Sequence, residues 1–188
     1  MTMSKVLSVL IIFAALFTGV FIIFALLSRP LSKTAKTASS FVMNTQPQTT
    51  LFFEPAILRI LPQDIGKLHT ISIGIDTDQN RLSSIQLELQ FNPLLFGQVA
   101  IQPATGSAVW SDQYKVLYSR VDQTTGRVSL LFETENLQGK GPIATFSFIP
   151  QSASGSSKII FLDKTMVTAQ GTDLSVLKNT VPLDITTY

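Results

Sequence analysis

From residue 51 onward, apolar side chains recur at every second position, which is the period of a half-buried β-strand. His69–Asp76 sets Ile71, Ile73 and Ile75 on one face. In the next segment Ile85, Leu87, Leu89 and Phe91 alternate with Gln86, Glu88 and Gln90, so one face meets a core and the other meets water. Asp76-Thr77-Asp78-Gln79-Asn80 has the composition of the turn between them. Further strands are predicted at Val116–Asp122, Arg127–Glu133, Ile143–Pro150, Lys158–Leu162, Thr165–Thr168 and Leu174–Ile185, the last interrupted near Pro182. Gln123–Gly126 forms a short hairpin loop ending in glycine, and Gly139–Pro142 and Ser152–Ser157 are loops by composition. No amphipathic helical stretch of adequate length follows residue 50. Many short alternating strands imply an all-β fold, an antiparallel two-sheet β-sandwich over residues 51–188.

The amino-terminal part is patterned differently. After a five-residue flank (1–5), Val6–Leu27 runs for twenty-two residues without a charge, where about 20 suffice to cross a bilayer as a helix. The run is longer than the apolar centre of a secretory signal, and no small-x-small site follows it closely. A polar face, which a buried core helix at a protein surface would show, is missing. The segment 6–27 is therefore expected to be an uncleaved signal anchor in the lipid bilayer, with a cleaved signal as the alternative. Counting basic residues alone puts the following domain in the cytoplasm, since Lys5 precedes the span and Arg29, Lys33 and Lys36 follow it. Long domains, however, cross membranes largely regardless of such charge. Residues 28–50 are rich in Ser and Thr and lack apolar periodicity, so they read as a flexible stalk spanning about 25–30 Å. A type IV pilin would also place an apolar helix before a β domain, but its glycine processing site and early glutamate are missing.

Charge changes the picture only slightly. Four of the fourteen basic residues precede residue 51, leaving ten against twelve acidic ones in the β domain. The basic character of the whole chain therefore belongs to the membrane-proximal part. Lys and Arg in the domain are scattered singly, which gives nucleic acid no basic patch. The chain has no cysteine, so disulfides, thiolate metal sites and a lipid-modified amino-terminal cysteine are excluded.

Candidate chemistry is sparse. Asp76-x-Asp78-x-Asn80 begins like a calcium loop, but the sixth position is Arg81 where glycine is needed and the twelfth is Leu87 where a glutamate belongs. It reads as a polar turn, and no metal site or cofactor is expected. His69 is the only histidine and is expected at the surface, and no G-x-S-x-G motif occurs, so catalytic machinery is not visible. Glu133 and Glu135 could in form be a glycosidase pair, yet two acids at a strand end are ordinarily solvated. Trp110, Tyr114 and Tyr118 make an aromatic cluster outside the core pattern. They are the candidate binding residues, for a protein or a glycan, unless Trp110 simply covers an end of the sandwich.

The order of motifs resembles a cohesin domain, the β-sandwich module through which cellulosome scaffolds and bacterial surface proteins hold dockerin modules. The similar pieces are Leu51–Pro55, Ile71–Thr77, Leu82–Phe91 leading into Asn92-Pro93, Gly126–Leu130, Gly141–Phe148 and Val181–Ile185. Asn92 stands where the family has aspartate before proline, a change that still suits a turn. The resemblance implies a jelly-roll-like sandwich, a non-catalytic role, an extracytoplasmic side for the domain that the run 6–27 is expected to anchor in the cell membrane by a single pass, and a dockerin-like protein partner. The fold superfamily also contains carbohydrate-binding modules, which makes a polysaccharide the alternative partner. A structural subunit of a surface assembly is the third reading, with Ala15-x-x-x-Gly19 as a possible helix-packing face.

Overall fold

The structure is a computed structural model and describes residues 45–104, 114–152 and 155–188. Among them the strands are β1 (Thr49–Glu54), β2 (Ile57–Ile60), β3 (His69–Asp76), β4 (Leu82–Gln90), β5 (Phe96–Pro103) and β6 (Tyr114–Asp122). They continue with β7 (Arg127–Leu137), β8 (Lys140–Pro150), β9 (Gly155–Phe161), β10 (Met166–Ala169), β11 (Leu177–Val181) and β12 (Leu183–Thr187). A single 3-10 turn, Pro62–Asp64, is the described helical element.

Two sheets result. The five-stranded sheet runs β11-β1-β3-β8-β5, and the seven-stranded sheet runs β2-β12-β9-β4-β7-β6. The seventh strand, β10, pairs with the first half of β4 along the edge that β9 uses at its second half. Where the two meet, the Thr165 hydroxyl takes the place of a strand partner, accepting from the Glu88 amide at 3.2 Å and donating to the Glu88 carbonyl at 2.9 Å. The alternating apolar positions face inward and close the core: Ile71, Ile73 and Ile75 from one sheet meet Ile85, Leu87, Leu89, Val128 and Leu130 from the other. Rings fill the middle, with Phe53 edge-on to Phe146 at 6.5 Å and Phe96 edge-on to Phe148 at 4.8 Å.

Several expectations are corrected. The sandwich is not wholly antiparallel: β1 pairs with β11, and β2 with β12, in parallel. Pro182 divides the last predicted strand so that β11 joins one sheet and β12 the other. β1 starts at Thr49, within the stretch assigned to the stalk, because Thr49 is buried and its amide donates to the Val176 carbonyl at 3.1 Å. β8 starts at Lys140 and β9 at Gly155, inside segments read as loops. β2 and β5 were not predicted. In β5 a bulge between Gly97 and Ala100, with Gln98 at φ 48°, breaks the alternation by which a strand is recognised. Asn92 does turn the chain, accepting from the Leu94 amide through its side chain at 3.0 Å and from the Leu95 amide through its carbonyl at 3.1 Å.

Candidate functional site

The period-two pattern that buries one face of β4 and β7 necessarily presents the other, and on the seven-stranded sheet the outward residues fall into rows. Met166, Gln86, Leu131 and Tyr118 form one row across β10, β4, β7 and β6. Glu88, Ser129 and Arg120 form the next, followed by Ile160, Gln90, Arg127 and Asp122. Tyr118 is 47% exposed, and Met166 and Ile160 are also exposed. Strands spaced about 4.8 Å apart make this a face about 15 Å across. Its centre is held in place by the Glu88 carboxylate, which accepts from the Ser129 hydroxyl at 2.6 Å and from the Gln86 amide group at 3.0 Å. Exposed Tyr118, Met166 and Ile160 lie beside this fixed polar pair.

The opposite face differs. Outward positions of β1, β3 and β8 carry Thr50, Ser72, Gly74, Thr145 and Ser147. The Phe52 ring there packs against Gly74, where a Cβ would come within 2.4 Å of it. Lys140 covers that ring at 5.6 Å from its centre and sits 3.9 Å from Asp76. Its large apolar group is already engaged.

The predicted aromatic cluster is placed only in part. Trp110 lies outside the described residues. A bulge between Val116 and Tyr118 changes the side to which β6 directs its residues, so Tyr114, opposite Thr134, turns inward and meets Phe132 edge-on at 6.4 Å. Tyr118, opposite Leu131, turns outward. The two tyrosines therefore do not form a common platform. Met166, Leu131 and Ile160 were missed as surface candidates; an apolar residue at an outward position of an alternating strand was the available signal.

The remaining candidates have structural surroundings. The Asp76 carboxylate accepts from the Asp78 amide at 3.2 Å, while Asn80 is fully buried, accepting from the Thr49 hydroxyl at 3.0 Å and donating to the Gln46 carbonyl at 3.1 Å. His69 is half-buried rather than at the surface, its ring stacked on Phe148 at 5.8 Å. Asp122, at the β6–β7 turn, accepts from the Thr124 and Thr125 amides at 3.0 and 3.1 Å. Hydrogen bonding from the Thr125 amide, and then from its hydroxyl, holds this carboxyl below the usual aspartate range. Val6–Leu27 lies outside the described residues; among those described, no helix is long and apolar enough to cross a membrane.

The cohesin domain family matches residues 65–186, well over half of the chain. This chain belongs to the cohesin domain family. Solved cohesins agree in fold. CaCohA2 of Clostridium acetobutylicum, seen in a complex with CaDoc0917, is 16% identical with a TM-score of 0.60 over 75% of this cohesin and 100% of that chain. A type I cohesin–dockerin complex of Clostridium thermocellum gives 12% identity and a TM-score of 0.57 over 77% and 100%. A non-cellulosomal cohesin from the hyperthermophilic archaeon Archaeoglobus fulgidus gives 14% and 0.52 over 75% and 91%. No curated protein matches this cohesin.

Proposed function

We propose that this chain is a non-catalytic cohesin that is tied to the membrane by residues 6–27 and holds a dockerin-like protein on the outer face of its seven-stranded sheet. The observation that carries the reading is the row Met166, Gln86, Leu131 and Tyr118, set beside the Glu88–Ser129 pair in a chain of the cohesin family. Tyr118 gives an anchor with an apolar body and a polar tip, the residue type that most often dominates binding energy. Glu88 and Arg120 supply the register, because a partner that places like charges against them is rejected. The solved relatives in complexes with dockerins support a protein partner, and the uncharged run at 6–27 supports the anchor. The family's place in surface assemblies supports the extracytoplasmic side of this reading, with residues 28–48 as the spacer.

The test is calorimetric titration of the full chain, reconstituted in lipid nanodiscs, with dockerin modules encoded by the same genome. Saturable binding by at least one dockerin, weakened about thirtyfold by Tyr118→Ala, is the expected result. If no dockerin binds, or if Tyr118→Ala leaves the affinity unchanged, the reading fails.

A further inference from the structure

We propose that a second copy of this chain pairs with the outer edge of β6, strand against antiparallel strand, about a two-fold axis at Ser119. Among the described residues β6 ends the seven-stranded sheet and pairs only with β7. It is nine residues long, and Lys115 to Arg120 are all exposed, with Val116 at 42% and Leu117 at 44%. The other sheet ends offer less: β2 and β11 have four and five residues, and β5 buries Phe96, Gly97, Val99 and Ile101. Sheet edges are ordinarily blunted by shortness, charge or a cover, because a long apolar edge recruits another strand. β6 is long and apolar at its middle, which makes it the edge of this domain best able to take a further strand.

The register of β6 identifies the occupant. Opposite the buried Val128, Leu130 and Phe132 of β7 stand Val121, Ser119 and Val116, which therefore point to the inner side. Asp122, Arg120, Tyr118 and Lys115 point to the outer side, and Leu117 is the extra residue of the bulge. Residues that face each other across a strand pair must share a side. With the axis at Ser119, Tyr118 faces Arg120 of the second copy, an aromatic ring against a cation. The Val116–Leu117 bulge then faces Val121 of the second copy, two residues against one, just as it already faces Phe132 on β7. That step brings Lys115 opposite Asp122 of the second copy. Each of these contacts occurs twice, so the edge is complementary to itself in side, apolarity and charge. Moving the axis by one residue destroys the match: at Tyr118 it sets Arg120 against Lys115, and at Arg120 it sets the two Arg120 side chains against each other. Like charges directly opposite destabilise a strand pair, so one register is selected. A foreign strand would need this same order of charge, which the chain itself supplies. The contact is a strand edge rather than a broad face, which places it among weak, transient associations.

The experiment is disulfide trapping of the full chain in detergent micelles. The chain has no cysteine, so Ser119→Cys supplies a single thiol. Cβ atoms facing across an antiparallel pair lie about 4.5–5.5 Å apart, near the span of a disulfide. Ser156→Cys, at an exposed position of β9, is the comparison, since association through the apolar run 6–27 would not favour one thiol over the other. Under a mild oxidant, and after correction for each thiol's reactivity, the covalent dimer is expected to form about tenfold faster from Ser119→Cys than from Ser156→Cys. Adding Lys115→Glu, which sets like charges against Asp122 at both ends of the pair, is expected to slow trapping about tenfold, with the melting temperature unchanged. Equal rates for the two thiols overturn the proposal, and so does trapping at Ser119→Cys that Lys115→Glu leaves unaltered. Ser119 and Lys115 lie outside the docking rows, so dockerin titration of the same variants reads the other site separately.

Discussion

Single side chains show where the domain spends polarity on folding and where it leaves it for a partner. Asp122 spends it on folding, closing the β6–β7 turn through two backbone amides. Its folded-state pKa lies below the ordinary aspartate value of about 3.9, so its contribution is present above that value and is lost as pH falls through the lower folded value. Asp122→Asn keeps an acceptor but removes the titration. The urea midpoint of wild type is therefore expected to exceed that of Asp122→Asn at pH 6 and to approach it at pH 3; an equal gap at both pH values contradicts the assignment. Tyr118 is the opposite case, outward, half-exposed and paired in register only with Leu131. Truncating it is expected to leave the melting temperature nearly unchanged while costing about 2 kcal/mol of partner binding.

At the scale of elements, the strands with strict alternation were legible: β3, β4 and β7 stand within a few residues of where the pattern put them. Elements set by distant pairing were not. β2 has four residues and gains its place from parallel pairing with β12, more than a hundred residues later, which no local pattern encodes. The bulges in β5 and β6 had the same effect on sites as on strands, since one extra residue turned Tyr114 and Tyr118 to opposite sides. The hairpin glycine was legible because its reason is local. Gly126 has φ 67°, and a Cβ there would fall 2.2 Å from the Phe91 carbonyl oxygen, a backbone atom that cannot swing away. Gly126→Ala is expected to cost more than about 1 kcal/mol, measured by urea denaturation. The three atoms nearest to a Cβ at Gly74 all belong to the Phe52 side chain, which can shift against the exposed Lys140 above it as a backbone oxygen cannot, so Gly74→Ala is expected to cost less. The reverse order of the two would show that Phe52 is held more firmly than the β6–β7 turn.

At the scale of the whole described domain, one core joins the two sheets, and the proposed docking face is stiff because its reverse side is that core. Phe146 is fully buried and touches Phe53, Phe91 and Phe148. Phe146→Ala is expected to cost about 3–5 kcal/mol, a large share of the roughly 5–15 kcal/mol by which domains are stable, and to abolish partner binding by unfolding. Under the proposed topology, protease added to intact cells cuts within residues 28–48 and releases the sandwich; a chain cut only after the cells are broken places the domain inside. The most direct test of the central claim is hydroxyl-radical footprinting of the full chain with and without a dockerin that binds it, the partner proposed above. Protection of Tyr118, Met166, Leu131 and Ile160, with Phe52 unchanged, is the predicted result. Protection of Phe52 with Tyr118 still reactive would put the partner on the five-stranded sheet and contradict the account.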